Sequence, residues 1–199
     1  MSKKLILILL VLTFTACSKE DEPDDNFSPS IEQEKCAVIE KLYPVYMRRE
    51  VPLPFPAYVM RLSDGNDLYM LRTRYNRDLH QGDRIDYRVF SFCPNEIAVI
   101  DGFELGDGSE AEKDAAMQKT RSLVASDPVE GCVAETFDMQ IRYSLTFVPI
   151  DTRFIVLEDG KLIYVKKSKL SLELVPGDRI VYNVYALSPN EVLAVKKLD

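Results

Sequence analysis

Apolar residues occupy every second position in two segments of this chain, 85–89 and 180–184, and the positions between them are mostly polar. A period of two predicts a β-strand with one buried face. Shorter apolar runs flank Asp64-Gly65 and Asp159-Gly160, and an Asp-Gly step between such runs predicts a hairpin because Gly accepts a positive φ. The predicted hairpin strands are Tyr58–Leu62 with Leu68–Arg72, and Phe154–Leu157 with Leu162–Val165.

The alternation breaks after each of the two long strands. Phe90 and Phe92 place apolar groups on the opposite parity, as do the residues at 185–187, which predicts a β-bulge or a strand end buried on both faces. We expect Pro94-Asn95 and Pro189-Asn190 to turn the chain into a final strand. The predicted final strands are Ile97–Ile100 and Val192–Val195, and the predicted opening strands are Ala37–Met47 and Val133–Phe147.

The chain contains an internal duplication at a spacing of 95 residues. Nine of the fifteen positions from Gly82 to Glu96 are identical to those from Gly177 to Glu191. With a one-residue shift, Cys36 matches Cys132. The duplication divides the chain into unit 1 (36–102) and unit 2 (132–199), joined by the linker 103–131. The shared motif residues are Gly82, Asp83, Arg84, Pro94, Asn95 and Glu96 in unit 1, and Gly177, Asp178, Arg179, Pro189, Asn190 and Glu191 in unit 2.

The predicted fold class is all-β, with two tandem five-stranded units. Five strands in so short a unit must hide their edges, and a closed or partly open barrel does this best. The order of one strand, a hairpin, a loop and a second hairpin resembles the OB fold, although another small barrel or a sandwich remains an alternative. In the linker, Ser109–Val124 is rich in helix formers and has Ser109 as a candidate cap, so we expect one helix there.

The first sixteen residues are typical of a secretory signal. A charged start precedes the apolar run Leu5–Leu12, and small residues lead into Cys17. The run is shorter than the roughly 20 residues that a membrane-spanning helix needs. A cysteine directly after the cleavage site predicts lipidation at Cys17, which makes the membrane an expected partner and the cell envelope, at the outer membrane, the expected location.

Charge is distributed unevenly along the chain. Unit 1 and unit 2 each hold nine basic and nine acidic residues, whereas 17–35 has seven acids to two bases and 103–131 has seven to three. Since neither unit has a basic surplus, we do not expect nucleic-acid binding. The run 18–25 has no apolar residue, which predicts a flexible acidic tether over 17–35. It also resembles the export signal of surface lipoproteins of Bacteroidota, and either interpretation is open.

The signal, the acidic tether and the Gly-Asp-Arg-Ile-x-Tyr strands together resemble the NigD-like OB-fold lipoproteins of Bacteroidota. The likeness is carried mainly by 79–89, echoed at 174–184, and by the signal, and covers about half of the chain. It implies a cell-envelope location and no settled activity. The family pairs an OB domain with a β-sandwich, whereas here unit 2 copies unit 1.

Three cysteines remain after Cys17, namely Cys36, Cys93 and Cys132. An odd number allows at most one disulfide within the chain. Cys36 with Cys93, inside unit 1, and Cys36 with Cys132, between the units, remain alternatives. With no CxxC spacing and a single histidine, His80, we expect neither a zinc site nor another cofactor.

The repeated motif offers candidate sites with competing structural interpretations. Asp83-Arg84 and Asp178-Arg179 form either a recognition pair or, as we favour, a turn with a surface ion pair. Glu96 and Glu191 suggest paired carboxylates for glycoside hydrolysis, but we favour a turn-capping role. We expect His80 to be exposed and incidental. Since no Gly-x-Ser-x-Gly elbow occurs either, no catalytic residue is predicted.

The segment Arg48–Tyr58 has no equivalent in unit 2. It carries three alternate prolines and two aromatic residues. It is either an exposed recognition loop, with Arg48, Arg49, Phe55 and Tyr58 as candidate binding residues, or a rigid edge packed on the core. The expected function is non-enzymatic binding of a protein or glycan. The alternative is a lipid-anchored inhibitor or immunity factor against a secreted enzyme or toxin.

Overall fold

Ten β-strands make up most of the computed structural model, which describes residues 30–48, 54–106, 127–143 and 148–198. The predicted all-β class with two five-stranded sheets is confirmed. Short 3₁₀ turns, Arg72–Arg74 and Lys167–Lys169, follow the third strand of each unit. Unit 1 contains β1 (Lys35–Arg48), β2 (Pro54–Leu62), β3 (Asp67–Leu71), β4 (Arg84–Phe90) and β5 (Cys93–Glu104); unit 2 contains β6 (Val129–Ile141), β7 (Ile150–Leu157), β8 (Leu162–Lys166), β9 (Arg179–Tyr185) and β10 (Ser188–Lys197).

Several predictions fall on parts of the chain that the structure does not describe. The signal 1–16, Cys17, the tether up to residue 29, Arg49 and the helix Ser109–Val124 all lie outside the described residues. Across the described ranges, no helix is long and apolar enough to cross a bilayer.

Each five-stranded sheet closes on itself, in the order β1-β2-β3-β5-β4 for unit 1. The long strand β1 makes this possible because its first half pairs with β4 and its second half with β2. A register shift between Ile39 and Lys41 lies where β1 changes partner. A single parallel bridge, Tyr69 to Glu96, links β3 to β5. Unit 2 repeats the pattern, with its bridge at Tyr164 and Glu191.

The two Asp-Gly hairpins form as predicted. Gly65 and Gly160 adopt φ angles of 83° and 81°, in the left-handed region that glycine tolerates. The turns expected at Pro94-Asn95 and Pro189-Asn190 are wrong, however. In unit 1 the turn is Ser91-Phe92, and Phe90 pairs with Cys93 across it.

The Pro-Asn-Glu residues instead form a bulge at the start of each final strand. In β5, Cys93 pairs with Phe90 and Ile97 pairs with Val89, so that residues 94–96 have no partner on β4. In β10, likewise, Ser188 pairs with Tyr185 and Val192 pairs with Val184, so that residues 189–191 have no partner on β9. The break in alternation at 90–92 therefore marks the turn itself, and the bulge lies on the final strand, where it releases the side chains at 95 and 96 for other contacts.

Each unit has its own apolar interior. In β4, Ile85, Tyr87 and Val89 point inward and are buried, which confirms the predicted alternation. The hairpin strands differ, because all four residues of 57–60 and of 68–71 are buried. One face of these strands lines the interior of unit 1, and the other face is covered by unit 2.

Candidate functional site

A shared apolar cluster joins the two units along the outer faces of their first three strands, and we call this region the unit interface. Each unit contributes seven buried residues to it. Within it, the ring of Phe154 lies 5.3 Å from that of Phe137 and 5.6 Å from that of Tyr164. The buried residues are Val45, Met47, Ala57, Val59, Tyr69, Leu71 and Cys93 from unit 1, and Met139, Ile141, Tyr143, Phe154, Val156, Leu162 and Tyr164 from unit 2.

A buried ion pair crosses the unit interface at Glu96. The Arg142 guanidinium of unit 2 donates to both Glu96 carboxylate oxygens, at 3.0 and 2.7 Å. The Tyr69 hydroxyl donates to Glu96 Oε2 at 2.7 Å and accepts the backbone N–H of Arg142 at 3.0 Å. Arg74 Nη1 lies 2.8 Å from Glu96 Oε1. Two cations and a hydroxyl therefore surround one fully buried carboxylate.

The same arrangement recurs at Glu191 with the units exchanged. Arg48 of unit 1 donates to both Glu191 carboxylate oxygens, at 2.9 and 3.1 Å. The Tyr164 hydroxyl accepts the Arg48 backbone N–H at 3.2 Å and donates to the carbonyl of Tyr46. Each repeated glutamate thus binds an arginine at the end of the other unit's first strand. The unit interface therefore has approximate two-fold symmetry.

The repeated asparagines complete this symmetry. The Asn95 side-chain oxygen accepts the backbone N–H of Gln140 at 3.0 Å, and that of Asn190 accepts the N–H of Tyr46 at 2.9 Å. Each side-chain amide also donates to a carbonyl at the start of the third strand in its own unit. Each asparagine therefore ties a bulge to its own sheet and to the other unit.

Cys93 and Ser188 occupy equivalent places beside these asparagines. The Cys93 thiol donates to the carbonyl of Gln140 at 3.6 Å and lies 3.6 Å from the Tyr69 hydroxyl. The Ser188 hydroxyl donates to the carbonyl of Tyr46 at 3.2 Å. Both side chains are fully buried. The Cys93 thiol in unit 1 and the Ser188 hydroxyl in unit 2 therefore serve alike as donors to a backbone carbonyl of the other unit.

Burial and hydrogen bonding shift the titration of this network. Burial alone would raise the pKa of Glu96, but hydrogen bonds from Arg142 and Tyr69 and the charge of Arg74 hold its pKa below the ordinary value. Burial raises the pKa of Tyr69, and the Glu96 charge adds to the effect. The carboxylate is therefore ionised and the phenol neutral near pH 7.

The glutamates do not cap turns, which corrects the role that the sequence favours. They are buried at the unit interface because the bulges direct them away from solvent. The Pro-Asn-Glu motifs thus supply buried polar contacts between the units, in addition to the ion pairs of Glu135 with Lys41 and Arg61, whereas Pro94 itself is exposed. Their equivalence also shows that the first strands repeat at a spacing of 94, since Arg48 corresponds to Arg142.

The Gly-Asp-Arg residues have a local structural use. Gly82 and Gly177 take φ angles of 94° and 91° at the turns that open β4 and β9. Asp83 is fully buried and accepts the backbone N–H groups of His80 and Gly106, at 2.7 and 3.1 Å. Asp178 accepts the N–H of the equivalent turn and pairs with a lysine.

The turn that we favour at each Asp-Arg step is present, and a surface ion pair accompanies it in unit 2. Arg84 extends into solvent with its Nε 3.0 Å from Cys36 Sγ, and Arg179 pairs with Glu130 at 3.2 Å. The aspartate and arginine point to opposite faces of the strand because they are sequence neighbours. Asp83 is therefore buried while Arg84 is exposed.

The proposed binding loop is also corrected, because its described members lie on strands. Arg48 ends β1 and binds Glu191, whereas Phe55 and Tyr58 belong to β2. Phe55 packs against the unit interface, and Tyr58 is buried. The described residues 54–58 are consistent with the alternative, a packed edge, and residues 49–53, with Arg49 among them, lie outside the described residues.

Neither predicted disulfide forms, because all three cysteines in the described residues are free. Cys36 is exposed on β1, whereas Cys93 is buried in the unit interface. Cys132 of β6 lies opposite Arg179 of β9, and Val38 of β1 lies opposite the equivalent residue, Arg84 of β4. Cys132 is therefore equivalent to Val38 rather than to Cys36. A hydrogen bond with Asp86 raises the pKa of Cys36, and one with Glu158 raises that of Cys132.

His80 is less exposed than the sequence suggests. A third of its side chain is accessible, and its Nδ1 atom is buried without a hydrogen-bond partner. The nearest carboxylate oxygen, Asp83 Oδ2, lies 3.6 Å from Nδ1. His80 therefore belongs to the turn that Asp83 organises.

One open cleft of about 840 Å³ lies on the outside of unit 1. It runs between the segment 31–36 and the strands β4 and β5. Four carboxylates and two cations line it, and Arg88 is paired with Asp101 at 2.7 Å. Within the described ranges, no group of three or more His, Cys, Asp or Glu side chains is placed to hold a metal ion. The charged residues lining the cleft are Glu32, Glu34, Lys35, Asp86, Arg88 and Asp101.

The interface arginines were missed at the level of sequence. On sequence alone Arg48 is a candidate loop residue, and Arg142 is not among the candidates. Both are arginines at a spacing of 94, so an alignment of the first strands with that offset would have paired them. Comparisons with family profiles, with curated proteins and with solved structures gave no match to this chain.

Proposed function

We propose that this chain is a lipid-anchored, non-enzymatic binding protein of the cell envelope, held at the outer membrane through Cys17, with a protein or a glycan as its ligand. The burial of Glu96 and Glu191 supports the proposal that the protein is not an enzyme. Each carboxylate is bonded to an arginine of the other unit. A general acid must hold a proton near neutral pH, whereas the pKa of Glu96 is lowered by its partners.

We further propose that each unit is an OB-like barrel, as the resemblance to NigD-like lipoproteins implies. The strand order and the pairing of β1 with both β2 and β4 support this assignment. Proteins of this fold bind ligands on the face of their second and third strands. Here that face is buried in the unit interface in both units. A ligand must therefore bind elsewhere.

The open cleft on unit 1 is the surface that we assign to the ligand. Its carboxylates and the Arg88 guanidinium can hydrogen-bond sugar hydroxyls or the polar groups of a protein loop. Glu34 is exposed there, so its side chain is available for such contacts. None of the residues that line the cleft belongs to the unit interface, so the interface leaves the cleft open.

The anchor is tested by mass spectrometry of the N-terminal peptide and by fractionation of cells. We expect acyl chains on Cys17 and recovery of the protein with the outer membrane. Cys17→Ser should release the protein to the soluble fraction. An unmodified Cys17 peptide would contradict the anchor.

The ligand is tested with glycan arrays and with pull-downs from surface and secreted fractions. Glu34→Lys reverses a charge in the cleft, and Glu173→Lys makes the same change on exposed surface of unit 2. We expect binding that falls at least about tenfold in the first variant and is unchanged in the second. Equal binding by both variants would rule out the cleft, and measurable turnover would overturn the non-enzymatic assignment. Capture of a single secreted enzyme or toxin would favour the inhibitor alternative.

A further inference from the structure

The turn that precedes β4 surrounds a buried carboxylate, and we call residues 80–83 the Asp83 turn. The Asp83 side chain is fully buried. Its two carboxylate oxygens accept the backbone N–H groups of His80, at 2.7 Å, and of Gly106, at 3.1 Å. The Asp83 carbonyl accepts the backbone N–H of Ile39 at 2.8 Å. The Asp83 turn therefore connects β1 and the start of β4 to the residues that follow β5.

Gly106 lies directly against this turn. A Cβ on residue 106 would lie 2.2 Å from the carbonyl oxygen of Gly82, so the two backbones are in close contact. The hydrogen bond that holds Gly106 in this place is the one from its N–H to Asp83 Oδ1. The position at which the chain leaves unit 1 therefore depends on the Asp83 carboxylate.

Unit 2 neutralises the equivalent carboxylate with a permanent cation. Asp178 accepts the backbone N–H of Val175 at 2.9 Å, as Asp83 accepts that of His80. The Lys197 ammonium lies 2.6 Å from Asp178 Oδ1, and its hydrogen bond holds the pKa of Asp178 below the ordinary value. In unit 1 an uncharged backbone N–H occupies the place of this lysine.

His80 is placed to supply the missing positive charge in unit 1. Its Nδ1 atom is buried without a hydrogen-bond partner and lies 3.6 Å from Asp83 Oδ2. A third of the side chain is accessible, so the ring can exchange a proton with solvent. A neutral imidazole leaves the buried carboxylate without a countercharge, which is costly. A protonated imidazole supplies that countercharge at short range.

The other charged side chains around the Asp83 turn have partners elsewhere or are exposed. On β1, Glu40 is exposed. The remaining pairs are Asp78 with Arg72, at 2.7 Å, Arg77 with the Phe103 ring, at 5.6 Å, and Arg84 with Glu104, which lie opposite each other on β4 and β5. Among the described residues, the carboxylate that faces the His80 imidazole is therefore that of Asp83.

We infer that His80 and Asp83 form a pH-sensitive contact, which holds Gly106 firmly in mild acid and loosens near neutral pH. The attraction is present while the imidazole carries a proton and is absent once it is neutral. The contact therefore stabilises this part of the fold at the acidic end of the range from about pH 5 to about pH 8 and is lost as the pH rises. The inference depends on neither the anchor nor the ligand of the proposed function.

Hydrogen exchange of the Gly106 amide tests this contact in the full chain. Its protection factor, corrected for the intrinsic effect of pH on exchange, is measured at about pH 5.5 and about pH 7.5. Glu96 stays ionised at both values because its pKa lies below 4.5. We expect at least about threefold more protection of Gly106 at the lower pH. The Gly160 amide of unit 2, which donates to the Leu157 carbonyl, should be protected equally at both.

Two variants separate the charge of His80 from its packing. His80→Gln keeps a polar side chain and the backbone N–H but cannot carry the proton, and His80→Val gives the residue that unit 2 has at this position. In both variants we expect Gly106 protection that is the same at the two pH values, and the second variant keeps the test valid if the first fails to fold. Equal protection of Gly106 at both pH values in wild-type protein would overturn the inference, as would a pH dependence that persists in either variant.

Discussion

Glu96 and Glu191 occupy equivalent positions but have unequal partners. Arg142 is 10% exposed in its pair with Glu96, whereas Arg48 is 34% exposed in its pair with Glu191. Glu96 also faces Arg74. Breaking a buried pair leaves an uncompensated charge, which is costly, while solvent screens a more exposed one. The two sites should therefore respond differently to the same substitution.

We predict that Glu96→Gln lowers the free energy of unfolding by about 3 kcal/mol, whereas Glu191→Gln lowers it by about 1 kcal/mol. The difference arises because Glu96→Gln leaves Arg142 buried without its countercharge. Urea denaturation followed by circular dichroism measures both values. A larger loss in Glu191→Gln than in Glu96→Gln would contradict the role given to burial.

The pH dependence of stability provides a second test of Glu96. Its pKa is depressed in the folded state from an ordinary value of 4.5, so its ion pair stabilises the fold above that value. The contribution is lost as the pH falls through the lower, folded-state pKa. We predict that wild-type protein loses more stability than Glu96→Gln when the pH falls from about 6 to about 3. Parallel stability profiles of the two proteins would contradict this.

At the residue scale, sequence reasoning located the repeated motif but not its use. Pro94-Asn95 resembles a turn locally, whereas the actual contacts of Asn95 and Glu96 lie in the other unit. Contacts between units depend on how the closed sheets pack, and local residue preferences do not contain that information. The arginine partners were hidden by the change of repeat spacing from 95 to 94 within the first strands.

At the element scale, the strands β2, β3, β7 and β8 carry the unit interface on their outer faces. Their central segments are continuously apolar, as in Leu68–Leu71 and Leu162–Val165. Such runs are typical of strands buried on both faces. The sequence alone therefore indicates that the outer faces of these strands are also buried. The hairpins were predictable because Asp-Gly fixes a turn locally.

The turns before β4 and β9 depend on glycine. Gly177 has a φ of 91° and no atom within 4 Å of the position that a Cβ would take. We predict that Gly177→Ala lowers the free energy of unfolding by about 1 kcal/mol through backbone strain alone. Gly177→Asn serves as the control and should cost less, since asparagine tolerates the left-handed region. Thermal unfolding measures both, and an unchanged Gly177→Ala would contradict the strain.

At the scale of the whole molecule, the two units behave as one body. The unit interface buries seven residues from each side, and three ion pairs with arginine join the described parts of the two units. We predict that the chain remains associated after proteolytic cleavage at a site introduced between residues 107 and 126. Size-exclusion chromatography of the cleaved protein should give one peak that contains both fragments. Separate elution of the fragments would show that the unit interface is too weak to hold them.

One pair of side chains in this interface has a further consequence for assembly. Lys41 and Glu135 are equivalent positions of β1 and β6, and their charged groups lie 2.8 Å apart. If unit 1 met a copy of itself in this way, lysine would oppose lysine, and two copies of unit 2 would oppose glutamate to glutamate. Like charges repel at this distance. The duplicated halves have therefore become selective for each other, and any exchange of halves between two molecules must re-form the same mixed pairs.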